Sequence, residues 1–304
     1  MTTNQQETIK PSNSHHMGPW VWLVGILSIL LAIMTFAVGY LLASSKTANN
    51  AQTAQTQTGQ QPEPDMKQLA KTLNSVNNKP KRAGKTGGIL FSKNGYNKPI
   101  KNVPTIGLYE EPLCPYCGQL NRTIDPTITK LFEAGQINVD LYLVNFLNQN
   151  SSDDYSNRAA NGAVYIAEHD DNPTHLLAYM TNIYTQDFQP QEGDSYKPVS
   201  NDQLKEQAVK AGVDPAIADK AFSGVLEYKD WLEAANNYTT SNPKVQNPQG
   251  GFSTPTITVN GNYWPVDSSN PDVTSKLLNA IDLKENQVGG QSKPSIGSNK
   301  KPIA

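Results

Sequence analysis

The chain has 304 residues, with 25 Lys and Arg against 27 Asp and Glu, a formal net charge of −2 and a pI near 6.1. With no basic block and no interleaving of Arg with aromatic residues, this balance argues against a nucleic-acid partner. The chain's 2 cysteines are too few for a disulfide-stapled secreted scaffold, so they are read as functional rather than structural.

Residues 1–19 form a polar tail. The run from Trp20 to Ala43 is uncharged over about 24 residues, roughly 36 Å as a helix, which is long enough to cross a bilayer. Trp20, Trp22 and Tyr40 lie near its ends, where amphipathic rings favour the headgroup region. Ala43 and Ser45 would suit a cleavage site, but the run exceeds a signal core of roughly 7 to 15 residues and Lys10 is the only Lys or Arg before it. A single uncleaved transmembrane helix over 20–43 is therefore expected, anchoring the chain in lipid. Lys10 on one side and Lys46 on the other leave its orientation undecided by charge.

Residues 44–86 have the composition of a flexible linker, rich in Ser, Thr, Ala, Asn and Gln as far as Pro64. Within it Met66, Leu69, Leu73 and Val76 recur at helical spacing, with Asp65 and Gln68 placed as a capping box. A short docking helix and a transient helix within the linker both fit this pattern. From Gly87 the pattern is globular, and Ile89 to Ser92 and Thr105 to Tyr109 read as strands. The second leads into Cys114-Pro115-Tyr116-Cys117. A helix follows, with Ile124, Ile128, Leu131 and Phe132 on its apolar side, Pro126 as a kink or break, and Gly135 as its end. Ile137 to Phe146 reads as a buried strand, which completes a βαβ unit. Residues of about 153–240 are helical in character and too long for a simple connection, so an inserted helical subdomain is expected. Thr256 to Val259 and Tyr263 to Val266 flank Asn260-Gly261, a hairpin signal, and Pro271 opens a closing helix. Residues 285–304 return to Gly, Ser, Asn and Lys and read as a disordered tail.

Two cysteines three positions apart at a strand-to-helix junction put the first sulfur at a helix N-terminus, where free N–H groups and the helix dipole favour a thiolate. Cys114 is expected to be the reactive sulfur and Cys117, one turn later, the buried resolving sulfur. Pro115 and Tyr116 are expected to tune the redox poise. A zinc site lacks ligands, because the remaining candidates are His15 and His16 before the apolar run and His169 and His175 in the helical region. Those last two also lie too far along the chain to make an obvious protease-type base, and a structural disulfide closing so short a loop would contribute little. Redox exchange is the remaining reading, with no metal and no prosthetic cofactor.

The Cys114-Pro115-Tyr116-Cys117 motif, the downstream Ser253-Thr254-Pro255-Thr256 and the helical insertion resemble the DsbA-like branch of the thioredoxin superfamily. The resemblance covers about residues 87–284 and implies an α/β, thioredoxin-like fold with the helical subdomain inserted. It places Thr254 and Pro255 at the family's cis-proline position, which lies beside the reactive sulfur and presents backbone to an extended substrate. Cys-Pro-Tyr-Cys also resembles the glutaredoxin dithiol, but there the proline follows within a few dozen residues, whereas 138 positions separate Cys117 from Pro255 here. Phe222-Ser223-Gly224 and Trp231 are similar to those of membrane-tethered members from Gram-positive bacteria. One departure is Leu108, where thioredoxin and DsbA carry a buried acid six positions before the first cysteine. Glu110 and Glu111 lie nearer the motif. Glu111 resembles an acid found in some members, but a solvated acid beside a turn fits equally, and neither is assigned as proton acceptor.

The resemblance implies an extracytoplasmic dithiol oxidase acting on thiol-containing secreted or cell-wall proteins. Its expected reoxidant is a membrane protein of the DsbB or vitamin K epoxide reductase type. An oxidising compartment suits such chemistry, which puts the tail before the anchor in the cytoplasm and the catalytic domain outside. A reductase or isomerase of the same fold, or a noncatalytic tethered binding or chaperone module, are the alternatives.

Overall fold

In the computed structural model, which describes residues 64–295, the β-rich runs after Gly87 become strands β1 (Ile89–Ser92), β2 (Gly95–Tyr96), β3 (Thr105–Glu110), β4 (Asn138–Leu143), β5 (Thr256–Val259) and β6 (Asn262–Trp264). They form one sheet in the order β2-β1-β4-β3-β5-β6. The β3–β4 pair is parallel, as a crossover helix requires, and β5 adds to β3 antiparallel with Tyr109 opposite Thr256. The β5–β6 hairpin turns on Asn260 and Gly261, at φ 49° and 74°, the two positive values that a tight two-residue turn needs.

Helix α1 (Met66–Ser75) precedes the sheet, and α2 (Pro115–Ala134) crosses from β3 to β4. α2 runs unbroken through Pro126, so the expected break does not occur there. The Thr274 hydroxyl instead donates to the Thr123 carbonyl, within the turn that the proline disturbs. α2 ends where Gly135 takes φ 70° and the Gln136 N–H reaches the Leu131 carbonyl at 2.8 Å.

Between β4 and β5 lie α3 (Tyr155–His169), α4 (Pro173–Ile183), α5 (Asn201–Lys210), α6 (Pro215–Ala221) and α7 (Lys229–Ser241), and α8 (Val273–Ala280) closes the order. The helical stretch expected from Ile217 to Trp231 is divided in two, because residues 222–228 around Ser223-Gly224 leave the helix. α3 is buried along most of its length on small residues, among them Ala159, Ala160 and Ala163.

Two ends of the ordered region differ from the expected boundaries. The linker expected to reach residue 86 is packed from α1 onward. Asp65 caps α1 by accepting from the Lys67 and Gln68 N–H groups, Leu73 is fully buried, and the helix packs on α7. Arg82 then donates to the Ala167 and Asp170 carbonyls at the end of α3, pairs with Asp171 and lies 4.5 Å from the Tyr96 ring centroid. A cation on the last carbonyls of a helix is a favourable cap. At the other end, the tail expected to be disordered from 285 is held as far as Ser295. Buried Gln136 donates to the carbonyls of Gln287 and Ser292 and accepts from the Gly289 N–H, while the Ser295 N–H reaches the Ile281 carbonyl. Composition hides this anchoring because the partners are backbone groups.

The expected cytoplasmic tail (1–19) and membrane anchor (20–43) lie outside the described residues. Among the described residues no helix is long and apolar enough to cross a membrane.

Candidate active site

Strand β3 ends on Glu110, and the chain turns through Glu111, Pro112 and Leu113 before α2. The Leu113 N–H donates to a Glu111 carboxyl oxygen at 2.8 Å, and the Cys114 N–H to the Glu111 carbonyl at 3.0 Å. This turn makes Cys114 the N-cap of α2, in extended conformation, with Pro115 at the first helical position. Proline fits there because its φ is already helical and no N–H is left without a partner. The first-turn amides of Tyr116 and Cys117 are then free to donate to the Cys114 sulfur.

Both cysteines are free thiols and both are buried, Cys114 at 4 % exposure and Cys117 at 0 %. Tyr116, between them, is 60 % exposed and marks the open side of the site. The Tyr109–Thr256 register carries the start of β5 to the same place. There the Thr254–Pro255 peptide is cis, and the Cys114 thiol donates to the Thr254 carbonyl at 3.4 Å.

The two thiols are driven apart in acidity. The hydrogen bond from the Cys117 thiol lowers the Cys114 pKa to about 6, opposed by burial and aided by the Thr254 side chain and the amides of Cys117 and Tyr116. Burial pushes Cys117 well above the ordinary range, and the hydrogen bond it gives to Cys114, the Cys114 charge and Glu110 push it further. One sulfur is therefore a thiolate at neutral pH while the other keeps its proton.

Behind the pair is a cluster of buried acids. Burial raises Glu110 to about 8, helped by Asp125 and the Cys114 charge against Asn121. Burial likewise raises Glu111 to about 8, against Ser156 and the amides of Leu113 and Cys114. Asp125, raised by burial to about 7, accepts from the Thr181 hydroxyl at 2.8 Å. Asn121 donates to the Cys117 carbonyl at 2.9 Å. An internal cavity of about 10 Å³, room for one water-sized sphere, is lined by Leu108, Glu110, Asn121 and Asp125 among others.

A family model described as thioredoxin matches residues 101–280. The chain belongs to the thioredoxin family. This thioredoxin-family chain is 26% identical to oxidised DsbA of Mycobacterium tuberculosis, with a TM-score of 0.50 over 66% of this chain and 95% of that one. It shares the fold of MdbA, a thiol-disulfide oxidoreductase from Actinomyces oris, at 15% identity and a TM-score of 0.51 over 69% of this chain and 93% of that one. Over 121 residues, 40% of this chain, it is 31% identical to the serine/threonine-protein kinase PknE of Mycobacterium tuberculosis. That match spans 21% of the kinase's length. The expected DsbA-like, thioredoxin-type α/β fold is borne out.

The structure brings Cys114, Cys117 and Thr254 together, with Pro255 next in the chain and Pro115 and Tyr116 on the first turn of α2. His169 stacks on Tyr165 and His175 pairs with Asp170, so both are engaged within the helical insertion. Among the described residues no group of three or more His, Cys, Asp or Glu could hold a metal. Sequence reasoning left Glu110 and Glu111 without a role and passed over Asn121, Asp125 and Gln189. Asn121 and Asp125 did carry a signal. They follow Cys117 at intervals of four, on a helix face otherwise made of Leu120, Ile124 and Ile128, and polar groups on a buried stripe need partners.

Proposed function

We propose that this thioredoxin-family protein is an extracytoplasmic dithiol oxidase that introduces disulfides into secreted or cell-wall proteins. The observation that carries the proposal is the opposite displacement of the two thiols, Cys114 downward and Cys117 upward. A dithiol whose reduced thiolate is this well stabilised gives up its disulfide readily and so acts as an oxidant.

In the forward reaction a substrate thiolate attacks Cys114 of the oxidised pair. The Cys114–Cys117 bond breaks as a mixed disulfide forms, and Cys117 leaves as a thiolate. Glu110, protonated at neutral pH, supplies the proton that Cys117 then keeps. The second substrate thiolate attacks the substrate sulfur of the mixed disulfide and releases Cys114 as the stabilised thiolate. Two electrons have passed from substrate to enzyme, and a membrane partner of the DsbB or vitamin K epoxide reductase type removes them. The uncharged run at 20–43 supports an anchor that holds the domain near such a partner.

Equilibration with glutathione tests the reading. A potential toward about −120 mV is expected, and one as low as roughly −270 mV would replace the oxidase with a reductase.

A further inference from the structure

A side chain from the helical insertion reaches into the redox turn. Gln189 follows the C-terminal end of α4, where its own N–H bonds to the Thr185 carbonyl at 3.0 Å. Its amide nitrogen donates to the Cys114 carbonyl at 2.9 Å and to the Pro112 carbonyl at 3.3 Å. Its amide oxygen faces Arg122 of α2 at 3.4 Å, and that guanidinium donates to the Tyr184 carbonyl at 2.7 Å. The orientation of the amide is fixed by these partners, since its two donors meet two carbonyls and its acceptor meets a cation.

Space for this contact comes from a glycine. A Cβ on Gly118 would lie 1.8 Å from the Gln189 amide oxygen and 2.8 Å from the Arg122 guanidinium, so any larger residue there expels the glutamine. Gly118 sits one residue past Cys117 in the interior of α2, where glycine costs about 1 kcal/mol relative to alanine. The helix accepts a poor helix former at the one position that Gln189 covers.

We propose that Gln189 is a positioning residue of the redox site, clamping the carbonyls of Pro112 and Cys114 so that the turn holds the Cys114 sulfur against the free amides of α2. The inference deepens the proposed oxidase and rests on it. Both carbonyls belong to the turn that carries the thiolate, and donors placed on them offset partial negative charge in that turn. The same bonds fix the direction in which α2 starts, and with it the amides that the sulfur accepts from.

The test is the pH dependence of iodoacetamide labelling of Cys114 in the reduced full-length chain, with the glutathione equilibrium measured alongside. Gln189→Met keeps the side chain's length and removes both donors. Gln189→Glu replaces the donors with a negative charge. Gly118→Ala leaves Gln189 in the chain, displaces its amide and favours the helix, so it guards against a loss of fold at position 189. All three are expected to raise the Cys114 pKa by about one unit or more, Gln189→Glu the most. For Gln189→Met and Gly118→Ala the oxidising equilibrium at pH 7 falls about fivefold, roughly 20 mV for a two-electron couple. Adding Gly118→Ala to Gln189→Met is expected to change little, because the clamp is already gone. A depressed wild-type pKa that folded Gln189→Met and Gly118→Ala leave within about 0.2 unit would overturn this inference alone. An ordinary wild-type pKa would remove the proposed oxidase as well.

Discussion

Replacing Cys114 with Ser is expected to abolish disulfide transfer to a reduced substrate, down to the rate of the uncatalysed exchange. Cys117→Ser has a different expected outcome. The attacking sulfur is still present, but nothing is left to resolve the mixed disulfide, so covalent substrate adducts accumulate on non-reducing gels. Cys117→Ala, which unlike Ser leaves no donor at that position, removes the largest influence on Cys114, the hydrogen bond from the Cys117 thiol, and the Cys114 pKa should rise toward that of a free thiol near 8.5. A tethered binding or chaperone module would behave otherwise, since Cys114→Ser would then spare function. The two serine variants together separate chemistry at the pair from mere retention of the fold.

Glu110→Gln has the second large expected effect, in both rate and stability. As the proton donor to departing Cys117, protonated Glu110 supports turnover below about pH 8, and its contribution fades as the carboxyl ionises. The wild-type profile should rise with substrate thiolate and fall above about pH 8. In the Gln variant the rate drops by about tenfold to a hundredfold, at the low end of general acid catalysis, and the descending limb disappears.

Stability should move in the opposite sense. The folded-state pKa is raised from 4.5 to about 8, so between those values the unfolded chain holds fewer protons than the folded one, and stability falls as pH rises. A tenfold difference in proton affinity between the folded and unfolded states is worth about 1.4 kcal/mol, which makes Glu110 a liability on the order of a few kcal/mol at alkaline pH. Denaturation of the reduced protein at pH 5 and pH 9 should show Glu110→Gln flattening this dependence and gaining stability at pH 9. Glu111→Ala, which removes the carboxyl that accepts from the Leu113 N–H, would disturb the turn before Cys114.

Much of this site could be read from local pattern. Cys114 and Cys117 declare themselves by spacing and by the strand before them. Asn260-Gly261 declares the hairpin because few residues tolerate two successive positive φ values, and β3 and β4 show as apolar runs around an amphipathic helix. The acids were harder, because Glu110 and Glu111 look like a solvated pair beside a turn. Both are buried in the fold, and the polar groups that face them come from other elements, Ser156 on α3 for Glu111 and Asn121 on α2 for Glu110. Gln189 is 75 residues from Cys114, and a glutamine in a polar loop gives no sign of the carbonyls it will meet. Arg82 and Gln136 mislead for a related reason. Each bonds backbone carbonyls, which every sequence offers equally, so the ordered ends at 64–86 and 285–295 resembled linker and tail. Leu108 is informative in the other direction. It lies on the same face of β3 as Glu110, and both line the internal cavity, so an acid two residues along the strand stands close to the place that Leu108 leaves apolar.

The direction of electron flow is the central claim, and trapping thiols in intact cells tests it most directly. Acid quenching followed by alkylation with a mass-tagged maleimide reports the state of Cys114 and Cys117 in the native full-length protein. The pair is expected to be predominantly oxidised at steady state and to become reduced when the membrane reoxidant is removed. A pair that is predominantly reduced in otherwise unperturbed cells would contradict the oxidase.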